Sequence, residues 1–544
     1  MKTALIVFLI FMIVTFFYGG NINISQGSIF DGEPYLAVNP SNPRHIVIAW
    51  LGYIDSTRAR IKTRVSFDAG NTWSNINLID HVNPFYGSAD PSLDFDNNGN
   101  VYLCYIDFNR FRFSGAVYVR KSVDGGLTWG NPVEVINAHS EQGKFPIDRP
   151  WISIDRSGGV YDGYIYVTTM NPTVFGPLSP PYHPYLTVSA DGGNSFGQWS
   201  HLDTLNWLAG NFIPQPMPTP SVSSDGTFNA VYPSLVFTQN SQSQFILVSS
   251  NDGGNSFAYH SVFSTPRLLQ DSVAKKGYLL RTDPSNADHR AFFYIDNLYG
   301  DFDIFMRESF DKGATLSEGV RINDDPIGNN RMQDLLWADF DTNGDLAVSW
   351  RDRRNGADST YSTSYEIWGA VRLKNSADFF TNFRISDTLV AYDSILARSG
   401  NDFMSVKLMN DTLNAAWGDT RDGRLNIWFQ RMAISQVVTS IDPSSGNKIG
   451  VADKFLVYQN YPNPFNPSTT ISYDLPRSSR VRVIIYDVRG DLLKTIVNGN
   501  QSAGRHSVIW DGRDENGIQA GSGIYFYRII SSGFSQTRKM LLIK

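Results

Sequence analysis

The sequence predicts an all-β protein, a β-propeller of six or seven four-stranded blades followed by a small β-sandwich. Three observations carry this expectation. An eight-residue stretch recurs as SFDAGNTW (66–73), SVDGGLTW (122–129), SADGGNSF (189–196), SNDGGNSF (250–257) and SFDKGATL (309–316). Its aspartates, Asp68, Asp124, Asp191, Asp252 and Asp311, stand 56, 67, 61 and 59 residues apart, and a motif at a near-fixed period marks a repeat architecture. Aromatic residues make up 13% of the 544, with 45 Gly and 26 Pro and no long helical periodicity, a balance that suits strands and tight turns.

The N-terminus reads MKTALIVFLIFMIVTFFYGG. One lysine precedes an apolar run from Ala4 to Tyr18, short for a bilayer span and of the right length for a secretory signal over residues 1–20. No other segment is apolar enough to cross a membrane, so no span is expected once the signal is removed.

Propeller units start near residues 33, 90, 148, 218, 279, 332 and 398, within an expected propeller of 29–435. A typical unit runs from an extended segment such as PSLDFD (91–96) through a polar turn, NNGN (97–100), to a strand ending in an aromatic, VYLCYID (101–107). A variable loop leads to a third strand, AVYVRKS (116–122), then the repeated motif and a last strand, PVEVIN (132–137). Four such strands form one antiparallel meander, and meanders in tandem stack face to face as blades. The repeated motif then falls at the turn between strands three and four. Glycine supplies the positive φ there, Ser and Asp cap turn N–H groups, and the aromatic packs beneath. The sixth unit keeps only Ser376 and Asp378 of the motif. The single cysteine, Cys104, lies in an apolar strand, so no disulfide within the chain is possible.

Residues 436–455 are polar and rich in Ser, Gly and Pro, which reads as a linker. Beyond them come alternating strands VRVIIYDV (481–488), HSVIWDG (506–512), GIYFYRI (523–529) and KMLLIK (539–544), a spacing that suits a sandwich. Residues 456–544 hold 11 Lys/Arg and 6 Asp/Glu, so the rest of the chain carries −11 of a net −6. With no basic stripe, nucleic-acid binding is excluded from the expectations.

Two resemblances rest on these residues. The repeated Ser-x-Asp-x-Gly-x-Thr-Trp resembles the Asp box, or bacterial neuraminidase repeat, of the sialidase-like propellers, over roughly 30–435. YPNPFNPST, WDGRDENG, SGIYFYR and the final RKMLLIK resemble the C-terminal sorting domain of type IX secretion cargo, with its small immunoglobulin-like sandwich. That second resemblance implies a Gram-negative bacterium, engagement of the type IX machinery through 456–544, and a secreted or outer-membrane surface location.

A meander puts its 2–3 loops and its blade-to-blade connections on one face, opposite the repeated turns. That face gathers Arg149, Arg331, Arg353, Arg398 and Arg421 with Asp55, Asp148, Asp352 and Asp419. Several guanidinium groups can clamp a carboxylate, and a carboxylic acid can protonate a leaving oxygen. Because Asp and Arg recur at most strand ends, the same residues can equally pair with one another and hold blades in register. Sialidases, by resemblance, use three arginines, a tyrosine nucleophile with a glutamate, and an aspartic acid/base. The resemblance places these roles on Tyr365, Glu366 and Asp55. The first blade departs from the family, since FDGEPYLAV (30–38) has no arginine.

The stretches DFDNNGN (94–100) and DFDTNGD (339–345) start like calcium loops but lack the twelfth-position Glu, and read as hairpin turns. The eight histidines show no metal-ligand spacing, so no metal or cofactor is expected. The functional expectation is a surface or secreted propeller that binds extracellular glycan or protein without catalysis. The alternative is an exo-sialidase-type glycoside hydrolase with an Arg-rich pocket.

Overall fold

The structure, a computed structural model, describes residues 20–27, 29–53, 58–109, 114–171, 181–213, 216–239, 242–265, 277–392, 401–439, 455–457, 460, 463–475, 479–501, 504–531 and 534–543. The chain divides into two compact units, 1–438 and 439–544. Among the described residues, no helix is long and apolar enough to cross a membrane.

In the first unit the described strands form seven four-stranded antiparallel sheets. Blade 1 is Asp31–Asn39, Asn42–Tyr53, Ala59–Ser66 and Asn77–Leu78. The innermost strands of blades 2 to 7 are Gly87–Phe95, Asp148–Ile154, Thr219–Val222, Tyr278–Thr282, Gln333–Phe340 and Ser405–Met409. Each innermost strand packs on the next and the last packs on the first, so the ring closes. The architecture is therefore a seven-bladed propeller, the larger of the two expected blade counts.

Closure uses the N-terminus. Blade 7 has only three strands from its own segment, and Ile22–Asn23 adds the outermost one, pairing Ile22 with Phe429 and Asn23 with Trp428. An expected start at residue 29 is thus too late. At the other end the helix Ile434–Thr439 runs past the expected 435.

The repeated turn is the staple between strands three and four. In all five copies the Ser Oγ donates to the Asp Oδ1 at 2.7–2.8 Å. The same Oγ accepts the N–H of the glycine four residues on, at 2.7–2.9 Å. The Asp then takes both the N–H and the hydroxyl of the Thr or Ser four residues on. These bonds, the Thr or Ser hydroxyl first, hold Asp68, Asp191, Asp252 and Asp311 down at about 2. The aspartates therefore serve as turn acceptors. Asp94 and Asp339, from the calcium-like stretches, instead accept backbone N–H groups of the following blade, Ile154 at 2.9 Å and Leu408 at 3.2 Å.

The second unit is a two-sheet sandwich. One sheet is Leu456–Val457, Thr469–Leu475 and Gly504–Trp510; the other is Leu492–Gln501, Ser479–Tyr486, Gly523–Ser531 and Phe534–Leu542. Trp510, Tyr527, Phe465 and Met540 fill the space between them.

Candidate functional site

The site is built where innermost strands meet across the axis. Strands Asp31–Asn39, Gly87–Phe95, Asp148–Ile154 and Gln333–Phe340 each carry a bulge near their start. Inside the bulge sits a non-glycine residue with positive φ: Glu33 (+55°), Asp90 (+51°), Arg149 (+46°) and Leu335 (+56°). In the first three, proline follows, which fits a bulge because it has no N–H to offer the ladder. Such backbone costs about 1–3 kcal/mol per residue and concentrates at functional positions.

Contacts between non-neighbouring blades locate these groups on the axis. Trp151 of blade 3 lies 5.5 Å from Trp337 of blade 6 and 6.1 Å from Phe403 of blade 7, ring centre to ring centre. Tyr35 of blade 1 meets Trp337 edge-on at 5.3 Å. These buried rings plug the axis. Beside them the Arg149 guanidinium reaches Asp402 of blade 7 at 3.0 Å and lies over the Phe403 ring. Asp148 opposes Met170, the end of the second strand of blade 3, so the cluster lies on the face of the 2–3 loops.

Among the described residues, four carboxyl groups lie around the Arg149 guanidinium. Glu33 and Asp90 are within hydrogen-bond reach, as are Asp90 and Asp148. The Arg149 N–H donates to Asp90 at 3.3 Å and to Asp148 at 3.1 Å, and the Glu33 N–H donates to Asn401. Burial, then Asp90 and Asp402, push the Glu33 carboxyl well above its ordinary range. Burial, then Asp90, push Asp148 up to about 8 against the pull of Arg149. Asp90 is raised by burial as well. Like charges this close cannot all ionise, so the group shares protons at neutral pH. One oxygen of Glu33, Oε2, is buried with no partner among the described residues.

Of the residues expected at this face, Asp148 and Arg149 stand in this cluster. Asp55 and Arg398 lie outside the described residues. Arg353 is buried, with Nη1 on Asp334 at 3.0 Å and its face on Tyr361. Asp334 also takes Arg351 through two bonds; burial would push its carboxyl up, but the two guanidiniums outweigh that and hold it well down. Asp352 accepts Trp350 Nε1 at 2.6 Å and binds Arg354 at 2.9 Å. Asp419 repeats the arrangement, with Trp417 Nε1 at 2.8 Å and Arg421 at 2.6 Å. Arg421 also binds Asp387. Arg331 donates to the Asp358 carbonyl. Among the described residues, then, Arg353 and Arg421 are paired to carboxylates of their own or an adjoining blade rather than converging with the others as a clamp.

Tyr365, bridged to Val390, directly precedes the strand Glu366–Arg372, and successive extended residues point to opposite faces. Tyr365 is buried, its hydroxyl has no partner, and burial pushes its phenol well up. Glu366 binds Arg384 at 2.9 Å and Asn355 at 2.7 Å. The two do not form a nucleophile–base couple in this arrangement.

Sequence reasoning missed Glu33, Asp90 and Asp402. A signal was present, because GEP, ADP and DRP place a charged residue before proline at the start of three units. A groove of 520 Å³ lined by residues of 74–80 and 126–129 with Arg120 lies beside a repeated turn, away from this cluster.

The comparisons with known proteins follow this division. The FlgD Ig-like domain family matches residues 465–532, and the C-terminal sandwich is immunoglobulin-like. No curated protein matches the chain in sequence. In structure the chain is similar to an α-L-arabinanase of Penicillium chrysogenum, with TM-score 0.42 and 14% identity over 77% of this chain and 99% of that one. It is similar to the NanB sialidase of Streptococcus pneumoniae, with TM-score 0.40 and 14% identity over 77% and 70%. A protein of unknown function from Dyadobacter fermentans gives TM-score 0.38 and 16% identity over 61% and 95%. These likenesses are too distant to say anything of activity.

Proposed function

We propose that the protein is an exported propeller that holds neutral glycans at its axial carboxyl cluster. The observation that carries this is the set Glu33, Asp90, Asp148 and Asp402 around Arg149. Carboxyl groups bind sugar hydroxyls through paired hydrogen bonds, whereas among the described residues one guanidinium among four carboxyls offers no positive excess for a sugar carboxylate. Sialosides are therefore disfavoured as ligands, and the Asp-box likeness of the repeated turns bears on architecture rather than substrate.

A second reading, glycoside hydrolysis, is favoured by Asp148 at about 8. A carboxyl protonated at neutral pH can donate to a leaving oxygen while an ionised neighbour serves as base or nucleophile. Both readings are tested on the full chain from residue 21, with neutral and sialylated glycans and a panel of neutral aryl glycosides. Binding of neutral glycans that weakens at least tenfold in Glu33→Gln and Asp148→Asn supports the first reading. Turnover lost in Asp148→Asn supports the second. Preference for sialosides, or binding indifferent to both variants, refutes the axial site.

Export is part of the same proposal. The sequence motifs of 456–544 and the apolar run near the N-terminus support type IX secretion and a place outside the outer membrane. Fusing 456–544 behind a signal peptide and a folded reporter in a type IX-competent bacterium tests it, and reporter retained in the periplasm would overturn it.

A further inference from the structure

Away from the axis, on the rim of blade 3, the fold gathers Glu141, His183 and His201, whose ligating atoms all lie within 4.8 Å of one another. Glu141 comes from the connection between blades 2 and 3. His183 directly precedes the third strand of blade 3, Pro184–Ser189, and His201 ends the fourth, Ser200–His201, opposite Tyr185. Sequence spacing could not reveal this set, since Glu141 and His201 are 60 residues apart.

An ion pair between Glu141 and His201 accounts for one contact only. Two further features go unexplained by it. His183 is nearly buried, and its Nδ1 is held 2.9 Å from Asp203 Oδ1, while the other oxygen of Asp203 accepts the Ala209 N–H at 3.0 Å. That fixes the tautomer with the proton on Nδ1 and leaves the Nε2 lone pair available, the arrangement in which a carboxylate orients a metal-bound histidine. Glu141 is itself oriented. Its Oε2 accepts the Tyr185 hydroxyl at 2.5 Å, and Tyr185 in turn contacts Asn171, whose amide nitrogen is buried with no partner among the described residues.

The Glu141 Oε2 to His201 Nε2 distance is 3.2 Å. Two ligands about 2.0–2.1 Å from a tetrahedral ion stand about 3.3 Å apart. We propose that Glu141, His183 and His201 form a binding site for a divalent transition-metal cation of the zinc class, with Asp203 as the positioning residue. Two imidazoles and one carboxylate suit zinc and disfavour calcium or magnesium, which take oxygen donors. Three protein ligands leave a fourth position for water. The ion ties the blade 2–3 connection to the outer strands of blade 3.

The test uses the full chain from residue 21, without a histidine tag and stripped of metal, titrated with Co²⁺ and then with Zn²⁺. One Co²⁺ per chain with the strong visible bands of a tetrahedral site, displaced by Zn²⁺, is the expected result. His201→Ala and Glu141→Gln, both at partly exposed positions, should lower affinity at least tenfold while circular dichroism stays that of the wild type. Asp203→Asn should weaken binding about 10- to 100-fold and shift the Co²⁺ bands. Absence of saturable binding to the wild type overturns the proposal, and so does binding that persists unchanged in both ligand variants.

Discussion

At the scale of single residues, the fate of each charge depends on what faces it. Asp334 and Asp148 are both aspartates near the start of an innermost strand, yet their carboxyls move in opposite directions. Asp334 meets two guanidiniums and is held well down despite burial, whereas Asp148 meets a second carboxyl and is pushed up to about 8. Asp334→Ala would leave Arg351 and Arg353 buried and uncompensated, and a loss of about 3–5 kcal/mol in denaturant unfolding is expected. Asp148 behaves oppositely. Its raised pKa means that stability is fully present below the ordinary 3.8 and is lost as pH rises toward about 8. Asp148→Asn mimics the protonated form, so its melting temperature should fall less than the wild type's across that window. A parallel fall in both proteins would assign the alkaline loss elsewhere.

At the scale of elements, the repeated turn both closes its own hairpin and docks on the preceding blade. A Cβ on Gly313, at φ +94°, would stand 2.1 Å from Leu247 of blade 4, and one on Gly70 would stand 2.6 Å from Phe429 of blade 7. Gly423 has a similar φ, +81°, with nothing within 4 Å. Two costs can therefore be separated. Gly423→Ala should lose about 1 kcal/mol for the left-handed backbone alone. Gly313→Ala carries the same strain and also a clash with a packed leucine, so a loss of about 2–4 kcal/mol is expected. Equal losses in the two variants, measured by urea unfolding, would mean that the turn does not press on blade 4.

At the scale of the whole propeller, the ring is held shut by residues 22–25. Ile22–Asn23 pairs with the strand Asn426–Ala433, Ile24 is fully buried, and Ser25 bonds Asn426 at 2.8 Å. Removing residues 21–27 should cost at least the about 2–5 kcal/mol of one buried aliphatic side chain and raise amide exchange first in Asn426–Ala433. Exchange that rises evenly through all seven blades would argue against a local latch. The expected signal segment ends at residue 20, just before this strand, so removal of 1–20 leaves the latch intact.

The sequence by itself determined what is local and periodic. The repeated turn, the four-stranded meander, the positions of the seven units and the C-terminal sandwich follow from turn chemistry and alternation, which depend on residues a few positions apart. The face opposite the repeated turns also follows from strand order. Tertiary structure alone decided which distant charges meet. Arg149 finds Asp402 across the axis only because seven blades close a ring, and Arg353 turns to Asp334 through the register of two strands. Glu141 and the two histidines meet through the pairing of the outer strands of blade 3 and the run of the connection before it. Periodicity sets where strands begin and end, but the pairing of side chains between distant strands depends on blade number, bulges and burial, which no local stretch encodes.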